Sequence, residues 1–296
     1  MGKLYIIGNG FDLHFGLHTK TDDFCKILER KESDDDEADN LLDLFNIYGI
    51  DWSSFEDKLS NINIKLILEK NLKSPDYFSD HEYDREGVVD NMNYAIDELE
   101  NGIQNSLKEM ALEANNQPLC PVLHFDSTDS IISFNYTSTV ERVSVNLKSN
   151  QLFYIHGCAK KNENLILGYP KGEKEKKLSE ISIEEEDDDG YISRQKIIIR
   201  QFYSSLEKEI TFDNLNDFLE KCKEFDEIVV LGHSIGRSDY PYFEYLDKKY
   251  PKAKWLISYH DQNDKEKLTL NLSECNIKKY KFTTSDSVWN LLLDNW

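Results

Sequence analysis

Lys3-Leu4-Tyr5-Ile6-Ile7 runs straight into Gly8-Asn9-Gly10-Phe11-Asp12-Leu13. An apolar run ended by two glycines has the form of a buried strand feeding a tight turn, against which a phosphate can lie when the turn's amides point at it. Glycine removes the side chain that would hold a ligand off the backbone. On these residues alone, a plain structural turn and a phosphate cradle are equal alternatives. A full dinucleotide fingerprint needs a third glycine where Leu13 stands, and no acidic residue follows a second strand at the ribose-binding spacing. Both facts argue against a standard dehydrogenase. The sequence holds no G-x-x-x-x-G-K-[ST], so a P-loop phosphotransferase loses its main support.

Outward from this turn, 296 residues suffice for one large α/β domain, here 1–296, carrying a helical insertion. The start has no signal-peptide pattern and no later stretch approaches a membrane span, which points to the cytoplasm and away from a membrane. Gly2 does not read as a myristoylation site, because position 6 is Ile6 and Leu4 to Ile7 belong to a core strand. Cys25, Cys120, Cys158, Cys222 and Cys275 are scattered and never paired as C-x-x-C, so reduced thiols are expected and no metal. The formal charge of −21 repels polyanions, and the short lysine clusters near Lys160 and Lys171 are answered by the acidic run Glu184 to Asp189. Nucleic acid is not favoured. A small nucleotide is less demanding, since oriented amides at one turn can neutralise it.

From Thr21 to about Glu113 the apolar residues recur at helical spacing, which predicts a helical insertion over 21–116. Leu41, Leu42, Leu44, Phe45 and Tyr48 belong to that pattern. Gly87 to Asn115 reads as its longest helix, while Ser33 to Glu37 and Ser74 to Glu86, with His81-Glu82-Tyr83-Asp84, read as solvated connections. After Pro118 short apolar runs appear at Ser130 to Phe134, Leu152 to Ile155, Leu165 to Leu167, Glu227 to Leu231, Lys254 to Ser258 and Lys279 to Phe282. Helical stretches at Arg194 to Cys222, Tyr240 to Tyr250 and Ser287 to Leu293 separate several of them, the pattern of an α/β fold with a mostly parallel sheet that the first strand joins. The acidic segment 173–190 reads as a flexible loop.

Ligands of such sheets bind at the carboxyl ends of the strands. Four exits carry polar or glycine residues: Gly8 to Asp12, Asn135-Tyr136-Thr137, His156-Gly157 and Gly232-His233-Ser234. Gly232-His233-Ser234-Ile235-Gly236 also has the G-x-S-x-G spacing of a hydrolase nucleophile elbow, with Asp239, Asp261 or His260 as partners of Ser234. His260 comes too near the chain end, and the order acid before histidine is hard to satisfy. No compact carboxylate cluster for paired magnesium ions stands at the exits, which lowers a nuclease reading.

Ile6 to Leu13, Trp52-x-x-Phe55-Glu56, Ser133 to Thr137 with Glu141, Tyr154 to Gly157 and Leu231 to Phe243 together resemble the AbiH family of bacterial abortive-infection proteins, which defend cells against phage. More distantly, the ordered exits are similar to sirtuin-like NAD-consuming domains, which implies a Rossmann-like sheet. By that resemblance Gly8 and Gly10 would approach the pyrophosphate of NAD, Asn135 and His156 would flank the nicotinamide ribose as catalytic residues, and Gly232 with Ser234 would meet the adenosine half; Asn9, Phe11 and His233 stand beside them as further cofactor-binding candidates, and Asp12 as a holder of a ribose hydroxyl or of His156. The chain lacks the four-cysteine zinc module of sirtuin deacetylases, and Thr137 stands where sirtuin-like hydrolases often carry Asp. The implied function is an effector that binds NAD and hydrolyses its nicotinamide glycosidic bond. A phage-derived trigger or partner protein and a homo-oligomer are compatible with it. The alternatives are a non-catalytic nucleotide sensor or partner-binding protein, and a nuclease or serine-type hydrolase. Asn135→Ala and His156→Ala should leave the fold intact, on the expectation that both lie at solvent-facing strand ends.

Overall fold

A computed structural model of the chain describes residues 2–32, 50–172, 178 and 190–293. Six strands form one sheet in which every pairing is parallel: β1 (Gly2–Ile7), β2 (Ser130–Ser133), β3 (Leu152–Tyr154), β4 (Phe225–Leu231), β5 (Lys254–Tyr259) and β6 (Tyr280–Thr284). Their order is β3-β2-β1-β4-β5-β6, the Rossmann arrangement, with the switch in direction falling between β1 and β4. The apolar run beginning at Leu4 is continuous because β1 lies mid-sheet with both faces covered, and Leu4, Ile6 and Ile7 have no exposed surface.

Alternate residues of the strands feed two cores. Leu4, Ile6, Ile132, Ile228 and Val230 face α8 (Asp213–Glu220), α9 (Tyr240–Lys249) and α10 (Gln262–Glu274) through residues such as Phe218, Phe243 and Leu268. Tyr5, Ile7, Ile131, Val229 and Leu231 face α1 (Asn9–His14), α6 (Thr139–Val143) and α11 (Ser285–Leu293) through Phe11, Val140 and Trp289. Each such side chain, wholly buried, contributes about 1.5–3 kcal/mol. One slip of register would exchange the two sets.

The chain divides into two compact units: Met1–Lys20, Lys108–Ile166 and Glu209–Trp296 form the sheet unit, and Thr21–Leu107 with Leu167–Lys208 form the other. The second unit contains α2 (Thr21–Glu32), α3 (Trp52–Leu59), α4 (Ile64–Asn71), α7 (Gly190–Ser205) and most of α5 (Glu82–Asn116). Its core includes the Phe24, Trp52 and Phe55 rings, with centroids 5.5–5.8 Å apart, and Tyr169 stacked on Tyr203 at 5.1 Å. Glu56 of the Trp52-x-x-Phe55-Glu56 element meets Lys208 at 2.7 Å in the same interior. A buried pair of this kind is held by mutual need, since either charge alone would be stranded away from water.

Three local expectations differ from the structure. Leu165 to Leu167 is not a strand; the segment runs past the end of β3, where the Ile166 N–H donates to the His156 carbonyl at 3.0 Å. The predicted helix Arg194 to Cys222 is two helices, because Tyr169 exchanges backbone hydrogen bonds with Leu206 and Lys208, both 2.9 Å, and pulls 206–208 out of helical geometry. The longest helix starts at Glu82 rather than Gly87, so part of the expected connection is its first turn. The expectations for 173–189, apart from residue 178, and for 33–37 and 41–48, lie outside the described residues.

Candidate functional site

The exits of β1, β2, β3 and β4 stand side by side, because pairing continues past the strands. Phe134 N–H donates to Ile7 O at 2.8 Å, Gly8 N–H to Leu231 O at 3.2 Å, and Ile155 N–H to Ser133 O at 3.0 Å. The backbones carrying Asn135 and His156 therefore leave adjacent strands together. Their side chains are closed over: Asn135 is 5% exposed and His156 3%, which corrects the expectation of solvent-facing residues. Polar side chains at the ends of an all-parallel sheet are buried when the flanking loops fold back over them, as the 232–239 turn does here.

The glycines of the first turn have a packing duty that the sequence does not reveal. A methyl group on Gly8 would lie 2.6 Å from the His233 Cα, and one on Gly10 2.8 Å from the Gly232 Cα. The Gly10 N–H donates to Gly232 O at 2.8 Å and the Phe11 N–H to Gly8 O at 2.9 Å. The amides of Gly8, Gly10 and Phe11 are thus engaged within the protein, and the glycines clamp the β1 exit onto the β4 exit. Phe11 is a core residue, wholly buried with its ring 5.1 Å from Trp289. Asn9 binds Thr19, accepting its hydroxyl at 2.7 Å and donating to its carbonyl at 3.1 Å, which ties down the chain after α1.

Two polar clusters occupy the exits. In the first, the Thr137 hydroxyl donates to Asp12 Oδ2 at 2.7 Å and lies 2.8 Å from the Thr139 hydroxyl. The turn that presents them is anchored by Asn115, whose Oδ1 accepts from the Ser138 N–H at 2.8 Å. Thr137 occupies the place where an aspartate was expected by resemblance, and its contact explains the departure: a carboxylate there would face Asp12 as a second buried anion. Burial pushes the Asp12 carboxyl up to about 6, opposed by the neighbouring Thr137, Thr139 and Asn135 side chains and by the charge of Arg142. Asp12 Oδ1 and Asn135 Nδ2 are both buried, and the amide lies near enough to steady the carboxylate.

This shift has a measurable consequence. Asp12 ionises near 3.8 in an unfolded chain and near 6 in the fold, so the folded state holds the extra proton between those values. The stability it contributes is fully present below pH 4 and is lost as pH rises through 6. Asp12→Asn, which keeps an acceptor for Thr137, is expected to gain about 3 kcal/mol over the native chain at pH 8 and almost nothing at pH 4. Urea unfolding of both chains at the two pH values measures this, and a difference independent of pH would contradict the raised carboxyl.

In the second cluster, His156 Nε2 lies 3.0 Å from Asp239 Oδ1, and His233 Nε2 lies 3.5 Å from Asp239 Oδ2. The Ile235 N–H donates to His233 Nδ1 at 2.8 Å, so that nitrogen holds a lone pair and the ring's proton sits on Nε2, facing the carboxylate. Phe134 packs between the two histidines, its ring centroid 5.1 Å from His156 and 4.3 Å from His233. Asp239 precedes α9 but its side chain does not cap that helix. A carboxylate at Nε2 of His156 favours the tautomer protonated there, which leaves Nδ1 as the basic nitrogen. Chemically, the arrangement is a histidine base oriented by a buried acid.

Asp239 as the partner of His156 and His233, and Thr137 with Thr139 as holders of Asp12, were missed as site residues. Ser234 is exposed, and the positive φ of the turn, 52°, falls on Ile235, so the strain that marks a nucleophile elbow is on the wrong residue. His260 is also exposed, at the end of β5. Among the described residues no group of three or more His, Cys, Asp or Glu side chains is placed to hold a metal ion, and no helix is long and apolar enough to cross a membrane. All five cysteines are free thiols.

The model of one protein family, described as bacteriophage abortive infection AbiH, matches residues 4–259, from β1 to the end of β5, and so contains both clusters. No curated protein matches the chain.

Proposed function

Because the chain belongs to the bacteriophage abortive infection AbiH family, we propose that it is an antiphage effector that binds NAD across the strand exits and hydrolyses its nicotinamide glycosidic bond. The observation that carries this reading is the His156–Asp239 pair on the strand exit next to Asn135. The resemblance to sirtuin-like domains nominates Asn135 and His156. The buried polar edge formed by Asp12 and Asn135 fits a ribose that supplies hydroxyl donors and acceptors.

In this reading Asn135 orients the nicotinamide ribose, and His156 Nδ1 takes a proton from the attacking water while Nε2 stays on Asp239. The bond from C1′ to the nicotinamide nitrogen breaks with its electron pair leaving on nicotinamide, and the water oxygen bonds to C1′. Orientation is the main contribution, because the transition state carries positive charge on the ribose and needs a water held at one face. His156 and Asn135 are closed over, so substrate enters only after the surrounding loops open. A defence protein that destroys a shared cofactor must be silent before infection, and closure supplies that silence.

Purified protein incubated with NAD, alone and with extract of phage-infected cells, is expected to yield nicotinamide and ADP-ribose in equal amounts only in the second case. NAD that stays intact with every extract, in cells that the same chain protects, would overturn the reading.

A further inference from the structure

His233 has no task in the reaction proposed above, and it is enclosed rather than offered to a ligand. Its Cα and Cβ lie against the β1 exit, where a methyl group on Gly8 would come within 2.6 and 2.8 Å of them. The Phe134 and Phe243 rings flank the imidazole, with centroids 4.3 and 5.1 Å away. Two residues on, Ile235 has φ +52° and no exposed surface. A side chain branched at Cβ avoids that left-handed region, so the conformation persists only where contacts hold it. The Ile235 N–H finds such a contact in His233 Nδ1, at 2.8 Å. From Ile235 the chain reaches Asp239 through Gly236 and the 3₁₀ turn Arg237–Asp239, whose last N–H donates to the Gly236 carbonyl at 2.9 Å. That short, bonded path carries any displacement of Ile235 straight to the carboxylate beside His156 Nε2.

We infer that His233 is a positioning residue, which holds Asp239 against His156 by accepting the Ile235 N–H at Nδ1. The inference rests on the proposed reading only in taking His156 as the base; the path from His233 to Asp239 stands without it. At 3.5 Å from Asp239 Oδ2, the His233 Nε2–H is long for a hydrogen bond, and its share is the weaker pull of a bond dipole on a charge. A neutral imidazole suits both places, because it offers an acceptor at one nitrogen and a donor at the other.

The titration of His156 reads the position of Asp239 without any turnover. It is followed in the full chain through the ring nitrogens of histidine labelled with nitrogen-15, assigned with His156→Gln. A carboxylate at Nε2 favours the protonated ring, so a carboxylate that drifts away lowers the midpoint. His233→Gln reaches toward Asp239 with its amide but has no acceptor at the Nδ1 position, and is expected to lower the His156 midpoint by about half a pH unit or more. His233→Asn places an oxygen near Nδ1, in the geometry that accepts an N–H two residues on, and is expected to restore most of the native midpoint. In an Asp239→Asn background the effect of His233→Gln is expected to vanish, since it acts through that carboxylate. An unchanged or raised midpoint in His233→Gln, an equal fall in His233→Asn, or a fall that survives in the Asp239→Asn background would each overturn the inference. Should His233→Gln fail to fold, the native chain decides: a His233 ring with its proton on Nδ1 at neutral pH overturns the inference, and an unprotonated Nδ1 with the signal of a hydrogen-bond acceptor bears it out. Midpoints that move as expected while NAD stays intact under every trigger would count against the NAD reading alone.

Discussion

His156→Gln is expected to release nicotinamide from NAD roughly 10²–10⁴-fold more slowly than the native chain under triggering conditions, the range over which a positioned base contributes. Glutamine is preferred to alanine because His156 is 3% exposed, and truncation would leave a cavity beside Phe134 and Tyr242. Its amide keeps a donor for Asp239 but offers no basic nitrogen. Asn135→Ala is expected to lose turnover to a similar degree, through lost orientation. Asp239→Asn keeps an oxygen that can accept from Nε2–H but removes the negative charge that favours the protonated ring, and should move the acid limb of the pH–rate profile as well as the rate. Each chain is first checked for a native circular dichroism spectrum and cooperative melting. A folded His156→Gln chain with native turnover would remove the histidine from the chemistry.

Gly232→Ala is expected to destabilise the fold by about 2–5 kcal/mol, the sum of left-handed backbone strain and an overpacked contact that cannot relax. Gly232 has φ +66°, and a methyl group there would lie 2.5 Å from the Phe11 nitrogen and 2.7 Å from the Gly10 carbonyl carbon. Both are backbone atoms of the β1–α1 turn, so accommodation means prising the β1 exit from the β4 exit. Gly16→Ala is the control, since Gly16 has φ +73° with no atom within 4 Å of the added methyl, and only the strain of about 1–2 kcal/mol should register. Urea midpoints of the two variants measure the difference. Equal losses would show that the contact between the exits contributes nothing.

The sheet was legible because a parallel strand covered on both faces must be apolar at successive positions, and Leu4–Ile7, Ile131–Ile132 and Ile228–Leu231 are. Leu165 to Leu167 has the same look without pairing, since a short apolar run reports burial and not hydrogen bonding. Within the site, the rule that ligands gather at strand exits led to Asn135 and His156. Asp239 entered only as a partner for Ser234, because local spacing relates it to its own turn, and only the fold shows its carboxylate turned to two histidines. The duty of Gly8 and Gly10 was hidden for another reason. Their neighbour, Gly232, is more than two hundred residues away, and no local pattern reports a close approach between distant turns.

The central position of β1 also shapes how the chain must be made. Its two neighbours begin at Ser130 and Phe225, so after Ile7 is synthesised 122 residues intervene before either partner strand starts to emerge from the ribosome. At roughly 5–20 residues per second that is a wait of roughly 6–25 s, during which an apolar β segment has no ladder to join. His156 meets Asp239 only after residue 239 has been made, and a fragment terminated before that residue is born without the pair.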